Sequence, residues 1–177
     1  MSETTGLRKK DAPWHRQPIE QIRLLNPSFL GTLLYMAAKG HQEERDDGQG
    51  LPYALAFVVL PVVLQKLTRE ALPRRISTSL VAWLSVNPFA QVGFPDRARA
   101  IAPLVRQAIA ISSAGGLIQL QGTHIAPLAP PRRVNKYGAE FATAEVIDCA
   151  RMAHFVGRWF AASGDYSTVM ALWGVRP

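Results

Sequence analysis

The stretch LPYALAFVVLPVVL, residues 51–64, contains no charged side chain and two prolines, Pro52 and Pro61. A bilayer span needs about 20 apolar residues, so a run of this length predicts a buried core helix and argues against a membrane partner. Pro61 removes one helical hydrogen bond and is expected to bend that helix. The run therefore predicts a central helix around which other helices pack.

The composition is that of a globular protein with a basic surface. The chain has 177 residues, 48% hydrophobic and 19% charged, so we expect a single domain at residues 18–177. Its 20 Lys and Arg against 13 Asp and Glu give a net charge of +7, which favours nucleic-acid or acidic protein partners. The single cysteine, Cys149, cannot form an intramolecular disulfide, and residues 1–18 lack the apolar core of a secretory signal. These features predict a cytoplasmic protein.

The residues before the central run predict a tail and a first helix. Residues 1–17 are polar and lack apolar periodicity, which predicts a mobile tail. NPSFLGTLLYMAAKG, residues 26–40, predicts a helix that Asn26 caps, that Pro27 opens and that Gly40 ends.

An acidic, glycine-ended segment follows the first helix. HQEERDDGQG, residues 41–50, predicts a solvated loop and is the strongest candidate for disorder. Its potential metal-binding side chains match no known ligand spacing, so we expect no metal there. They are His41, Glu43, Glu44, Asp46 and Asp47.

The segment after the central run places two arginines before an apolar helix. REALPRRISTSLVAWLSVNP, residues 69–88, predicts a helix that turns Ile76, Leu80, Val81, Trp83 and Leu84 to the core. Arg74 and Arg75 at its mouth are expected to bind a DNA phosphate or a partner's carboxylates, and the alternative is a solvated helix end. The candidate residues for DNA or an acidic partner are Lys66, Arg69, Arg74, Arg75, Thr78, Ser79, Arg99, Arg106, Arg132 and Arg133.

A change of periodicity beyond the middle of the chain predicts a β-hairpin. FPDRARAIAPLVRQAI, residues 94–109, has helical spacing, whereas LIQLQGTHIAPL, residues 117–128, alternates Ile118 and Leu120 with glutamines. Helices followed by a basic helix and a hairpin are the order expected of a winged helix-turn-helix. The predicted fold class is mostly α (α+β), a helical domain with a winged helix-turn-helix-like core, one short β-hairpin and C-terminal helices.

The C-terminal helices, predicted within residues 142–173, carry more apolar surface than one core face needs. One apolar stripe consists of Val146, Ala150, Ala153, Val156 and Phe160. A second consists of Met152, Phe155 and Trp159. A helix apolar around most of its circumference is buried or docks a partner. We therefore expect these side chains to form a partner interface or the core that shapes it. The candidates are Met152, Phe155, Arg158, Trp159, Phe160 and Trp173.

The sequence contains no constellation typical of catalysis. Cys149 and His154 are five residues apart, so on a helix they point about 140° away from each other and cannot act as nucleophile and base. The GQG at residues 48–50 lacks the surrounding pattern of a phosphate loop. We expect no enzymatic activity, no cofactor and no metal site.

Four segments resemble the middle component of three-component ABC systems, which are prokaryotic conflict operons that include Lamassu-type antiphage and antiplasmid defence. The resemblance covers nearly all of residues 24–177. It implies a non-enzymatic subunit between an SMC-like or Rad50-like ABC ATPase and an effector, commonly a nuclease. The segments are NPSFLGTLLYMAAKG, GLPYALAFVVLPVVLQKLTREALPRRISTSLVAWL, GFPDRARAIAPLVRQAI and, most distinctive, AHFVGRWFAASGDYSTVMALWGVRP.

The sequence is compatible with three functions. The favoured one is an accessory subunit that docks on the ATPase and restrains or positions the effector until foreign DNA is engaged, with possible direct contact to DNA phosphates. The alternative is a free-standing winged-helix transcription regulator, which should purify alone as a two-fold dimer. The third, an enzyme that uses the acidic loop, lacks a placed acid and base.

Overall fold

The computed structural model describes residues 26–128 and 143–176, which form seven α-helices and a small antiparallel sheet. The predicted class, mostly α with a small β part, is confirmed. The predicted tail at residues 1–17 lies outside the described residues, as do Arg132 and Arg133. The helices are α1 (Pro27–Glu44), α2 (Ala56–Leu64), α3 (Lys66–Ala71), α4 (Leu80–Val86), α5 (Phe94–Ala114), α6 (Ala144–Ala162) and α7 (Tyr166–Leu172). The strands are β1 (Leu51–Pro52), β2 (Ile118–Gln121) and β3 (His124–Pro127), and short 3-10 turns lie at Tyr53–Leu55 and Pro88–Ala90.

The charge-free run forms the predicted buried helix only from Ala56 onward, as α2, because residues 51–52 form strand β1 and residues 53–55 form a 3-10 turn. Its residues Val58 to Val63, with Pro61 among them, are buried in the core. In the described part of the chain, no helix combines the length and the apolar character needed to cross a bilayer.

Helix α1 begins as predicted but ends later. The Asn26 side chain accepts a hydrogen bond from the Ser28 backbone N–H at 2.9 Å, and Pro27 opens the helix. The helix continues past Gly40 to Glu44, so the predicted end and the first part of the predicted acidic loop were wrong. Gly40 serves a close helix contact instead, because a Cβ there would lie 2.2 Å from the His154 carbonyl oxygen on α6.

The backbones of α1 and α6 approach each other closely. A Cβ on Gly157 of α6 would lie 2.0 Å from the carbonyl oxygen of Ala37 on α1. Leu33, Leu34 and Ala37 are fully buried. Small residues on both helices let the two backbones approach, which the apolar pattern alone does not reveal.

The predicted hairpin at residues 117–128 is confirmed, and a third strand joins it. Strands β2 and β3 pair with Leu120 opposite Ile125, and Gly122 in the turn has a φ of +59°. The two-residue strand β1 pairs with the other side of β3, giving the order β1-β3-β2. Leu120 is 47% exposed, contrary to the predicted alternation, because β2 is an edge strand that meets the core only at Ile118.

Helix α4 begins at Leu80, five residues after Arg75, although Arg74 and Arg75 were predicted to lie at its N-terminus. Residues 76–78 form a turn, and the Ser79 side chain caps the helix by accepting from the Ala82 backbone N–H at 3.4 Å. Leu80, Trp83 and Leu84 are buried as predicted, whereas Val81 is 58% exposed. The later start moves the helix mouth away from the two arginines.

Candidate interaction surfaces

Three aromatic side chains of the predicted partner interface lie in the core of the chain. Trp159, Phe160 and Trp173 are at most 1% exposed. Trp159 donates a hydrogen bond from Nε1 to the Thr78 carbonyl oxygen at 2.7 Å and packs edge-to-face on Trp83 with ring centroids 5.4 Å apart. Of the two roles that the helical pattern left open, these residues have the core role.

Arg69 is a structural residue, which corrects its assignment to a DNA or acidic-partner surface. Its side chain is 3% exposed. Nε donates to Asp148 Oδ2 at 2.9 Å, Nη2 donates to Glu145 Oε1 at 2.7 Å, and Nη1 donates to the Val63 carbonyl oxygen at 2.8 Å. The guanidinium therefore fixes α3 against α6 and the end of α2. Glu145 and Asp148, one turn apart on α6, were the only signal of this in the sequence.

One further ion pair and one histidine–carboxylate contact join α1 to α6. His154 Nε2 lies 2.7 Å from Glu43 Oε2, and Arg158 Nε and Nη2 donate to Glu44 Oε2 at 3.0 and 2.9 Å. Glu43 and Glu44 are therefore helix residues with partners, which corrects their assignment to a solvated loop. Arg158, a predicted partner-interface residue, is used within the chain.

A cleft between α3 and α6 holds the other predicted interface side chains. This α3–α6 cleft has a volume of about 540 Å³ and mixes cations with Glu70 and Asp148. Arg74 stands at its rim, and Arg151 there donates to Asp148 Oδ1 at 2.7 Å. Its lining residues are Arg69, Glu70, Leu72, Pro73, Arg74, Asp148, Arg151, Met152, His154, Phe155 and Arg158.

Arg74 and Arg75 are exposed in the connection between α3 and α4, and neither forms an ion pair with a described residue. They precede the first residue of α4 by at least five positions, and Ser79 already caps that helix. The predicted phosphate site at a helix mouth is therefore not formed. The Thr78 backbone is engaged by Trp159, and Lys66 lies 3.9 Å from Glu70 on the exposed side of α3.

Arg99 and Arg106 line another cavity, which is larger than the α3–α6 cleft and separate from it. We call it the arginine groove; it has a volume of about 750 Å³. The structure adds the aromatic residues Tyr53 and Phe57 and a third arginine, Arg176, which the sequence did not single out. Its lining residues are Tyr53, Ala54, Phe57, Pro95, Ala98, Arg99, Ala102, Arg106, Met170, Gly174, Val175 and Arg176.

The two predicted arginines of this groove are weakly engaged within the chain. Arg99 donates to Asp96 Oδ1 at 2.7 Å, but both side chains are more than three-quarters exposed, so the pair adds little stability. The Arg106 guanidinium lies 5.7 Å from the centroid of the Phe57 ring, which is cation–π distance. Their spacing of seven on α5 was visible in the sequence, whereas Tyr53 and Arg176 approach only through the fold.

Three of the exposed large apolar side chains lie close together in sequence, at the end of α4 and on the segment that joins it to α5. Val86 is 75% exposed, Val92 is 71% exposed and Phe89, in the 3-10 turn between them, is 41% exposed. Apolar side chains concentrated in one exposed segment are typical of a protein contact surface.

Cys149 and His41 are buried side chains with shifted pKa values. Burial raises the pKa of the Cys149 thiol to about 11, so the thiol is protonated near neutral pH. His41 is buried, burial lowers its pKa, and its Nδ1 lies 3.3 Å from the Gln49 carbonyl oxygen. Residues 26–128 and 143–176 contain no group of three or more His, Cys, Asp or Glu side chains that could hold a metal ion.

Comparison with known proteins gives one positive finding. No curated protein and no solved structure matches the chain significantly. A family model described as "ABC-three component (ABC-3C) system Middle Component 3" matches residues 14–177, which is most of the chain and agrees with the resemblance in the four segments above. The chain therefore belongs to this family of middle components of ABC-three component systems.

Proposed function

We propose that the chain is a non-enzymatic bridging subunit in the cytoplasm of a prokaryotic cell, within a defence complex of the Lamassu type. In this role it links an SMC-like or Rad50-like ABC ATPase to an effector nuclease and restrains the effector until foreign DNA is engaged. The observation that carries the proposal is the family match over residues 14–177, because a middle component implies protein partners.

The location of the apolar side chains supports a protein contact at the α4–α5 connection. The aromatic anchors Trp159 and Trp173 are used in the core, so they are not available to a partner. Val86, Phe89 and Val92 are exposed, and an interface core is normally built from such side chains. We place the first contact with the ATPase or the effector there.

Co-purification tests this function. The chain is co-expressed with the ABC ATPase and the effector encoded beside it, and the complex is isolated through a tag on the ATPase. Val86→Asp combined with Val92→Asp should abolish recovery of the chain, because a buried unpaired carboxylate is costly at an interface. Gln107→Asp, at an exposed polar position on α5, should leave recovery unchanged.

The wild-type proteins show whether the chain binds the ATPase and the effector at all. Failure of the wild-type chain to co-purify with either component would remove the bridging function. Recovery of the Val86, Val92 variant at the wild-type level would move the contact to another surface.

Direct DNA binding by a winged helix-turn-helix is the second candidate. Two observations support this candidate: α5 immediately precedes the β-hairpin, and Arg74 and Arg75 are exposed. If these arginines contact phosphates, Arg74→Ala with Arg75→Ala should lower the salt slope of duplex DNA binding by up to about two units, near 0.9 per contact. An unchanged slope would exclude them as a phosphate site.

A further inference from the structure

The described lining of the arginine groove is rich in positive charge, and Asp96, which pairs with Arg99, lies outside that lining. Three arginines line it, Arg99, Arg106 and Arg176, and no carboxylate is among its lining residues. The α3–α6 cleft differs, because Glu70 and Asp148 line it together with its cations. A ligand that carries carboxylates could therefore pair with these arginines, and no acidic side chain among the described lining residues would repel it.

The lining between these arginines is apolar and contains several small side chains. Ala54, Ala98 and Ala102 have side chains of one carbon, which allows another backbone or side chain to approach closely. Phe57 lies beneath the Arg106 guanidinium, so the aromatic face helps to hold that group over the groove. The groove thus offers apolar contact in the middle and guanidinium donors around it.

The spacing of the groove residues along α5 matches the repeat of a helical ligand. Arg99, Ala102 and Arg106 follow one another at three and then four residues, so they lie along one face of α5 over two helical turns, about 10 Å. A helix packed beside α5 presents its own residues with the same repeat. Two carboxylates seven residues apart, with an apolar side chain between them, would face the two arginines and Ala102 together.

We propose that the arginine groove binds an acidic amphipathic helix of a partner protein, with its carboxylates on Arg99 and Arg106 and its apolar side chain over Ala102. Arg176, from the segment after α7, closes the third side of the groove. Carboxylate pairs with arginine are charge-assisted and frequently bidentate, which gives register as well as affinity. The proposal deepens the bridging function, since it rests on the chain having a protein partner.

Duplex DNA fits this groove less well. Surfaces that bind DNA are strongly polar, whereas much of this lining is alanine, methionine, valine and aromatic carbon. Gly174, Val175 and Arg176 stand beside the α5 face that carries Arg99 and Arg106, so this face is concave. A recognition helix must instead project into the major groove.

A peptide titration of the isolated full-length chain tests the groove without any assembled complex. The probe is a labelled helical peptide with two glutamates seven residues apart that flank a leucine, and its counterpart has glutamine at both positions. We expect the glutamate peptide to bind at least about tenfold more tightly, because only carboxylates form the charged pairs. Equal binding of the two peptides would overturn the proposal.

Two variants of matched charge separate the groove from the general positive charge of the chain. Arg99→Gln with Arg106→Gln removes two positive charges, and Gln119→Glu with Gln121→Glu on the exposed strand β2 adds two negative ones. The variant with Arg99→Gln and Arg106→Gln should lose the tenfold preference for the glutamate peptide. The variant with Gln119→Glu and Gln121→Glu should keep that preference. The same loss in both variants would show non-specific attraction and overturn the site.

Photo-crosslinking in the co-expressed complex identifies the natural occupant. A photoreactive phenylalanine derivative replaces Tyr53, an aromatic residue of the groove lining, so that Ala102 keeps its small side chain, or, as the control, Ile147, an exposed position of α6 outside the groove. Position 53 should crosslink to a helical segment of the ATPase or effector with at least two acidic residues, and position 147 should not crosslink to that segment. Crosslinking to DNA, or to a segment without acidic residues, would overturn the proposal.

These outcomes separate the groove from the bridging function. A chain that co-purifies with its partners but shows no crosslink at position 53 keeps the bridging function and loses the groove proposal. A chain that binds the glutamate peptide through Arg99 and Arg106 but co-purifies with neither component keeps the groove and loses the bridging function as stated.

Discussion

The α1–α6 interface and the arginine groove use the same types of charged residue in opposite ways. Arg158 and His154 on α6 meet Glu44 and Glu43 on α1, and Arg69 on α3 is held nearby by Glu145 and Asp148 of α6. In the arginine groove, Arg99 and Arg106 line a cavity that has no acidic side chain among its described lining residues, and only Arg99 has a carboxylate partner, the exposed Asp96. The net charge of the chain therefore says little about its partners until structural arginines are separated from available ones.

The largest effect should come from removing the aromatic core beside this interface. Trp159→Ala deletes a fully buried side chain and its hydrogen bond to the Thr78 carbonyl, so we expect a loss of about 4 kcal/mol in the free energy of unfolding. The measurement is urea unfolding followed by far-UV circular dichroism. A variant that stays as stable as the wild type while losing its partners would make Trp159 an interface residue after all.

Adding one methyl group between α1 and α6 should be nearly as damaging. In Gly157→Ala the new Cβ would lie 2.0 Å from the Ala37 carbonyl oxygen, a backbone atom that cannot move without its helix. We expect a loss of about 3 kcal/mol in thermal or urea unfolding. Gly115→Ala is the control: its nearest other atom is at 3.3 Å and its φ is ordinary, so a change below about 1 kcal/mol is expected.

Breaking the Arg69 cluster should cost less, because its carboxylates remain partly hydrated. Arg69→Met keeps the length of the side chain but leaves Glu145, Asp148 and the Val63 carbonyl without this donor. We expect a loss of about 2 kcal/mol, below the range for fully buried pairs, since Glu145 is 45% exposed. A stability equal to that of the wild type would show that Arg69 does not hold α3 against α6.

The difference in unfolding free energy between the wild type and Arg69→Met should become smaller at low pH. Hydrogen bonds from Arg151 and then Arg69 hold the pKa of Asp148 below its ordinary value of 3.8, although partial burial opposes them. A lowered folded pKa adds stability above the unfolded pKa, and this stability is lost as the pH falls through the folded pKa. The gap in unfolding free energy between wild type and Arg69→Met should therefore narrow below about pH 3.8. A gap that stays constant down to pH 2 would contradict the ion pair.

The smallest effect on stability should come from the arginine groove. Arg99→Ala with Arg106→Ala removes one exposed ion pair and one cation–π contact, so we expect a change of about 1 kcal/mol or less. The same thermal melts measure it. A large loss would place these arginines with the structural ones and weaken the case for a partner at the groove.

Local patterns were enough to predict much of the fold. Asn26 and Pro27 identified the start of α1, the charge-free run identified α2, and the alternation after Gly116 identified the hairpin. These features succeed because capping and apolar periodicity act over one or two turns of chain. The predictions for Gly40 and for the start of α4 failed, since contacts with α6 and the cap at Ser79 decided them.

The candidate sites were harder to predict, because they depend on pairs of residues far apart in the chain. The sequence correctly grouped Arg99 with Arg106 on one helix face, yet it also grouped Arg69 with them. Arg69 meets Glu145 and Asp148 from more than 70 positions away, and no local pattern encodes that meeting. The same holds for Trp159, whose covering atoms come from the turn at Thr78.

The sequence by itself determined the helical class, the hairpin, the central buried helix and the family, because these follow from short-range periodicity and from recognisable segments. The tertiary structure alone decided which arginines remain available to a partner. It also decided that the C-terminal aromatics are core and that Val86 and Val92 are exposed. The physical reason is that burial and ion pairing depend on which distant elements pack together, and the charge or polarity of a single residue does not specify its neighbours.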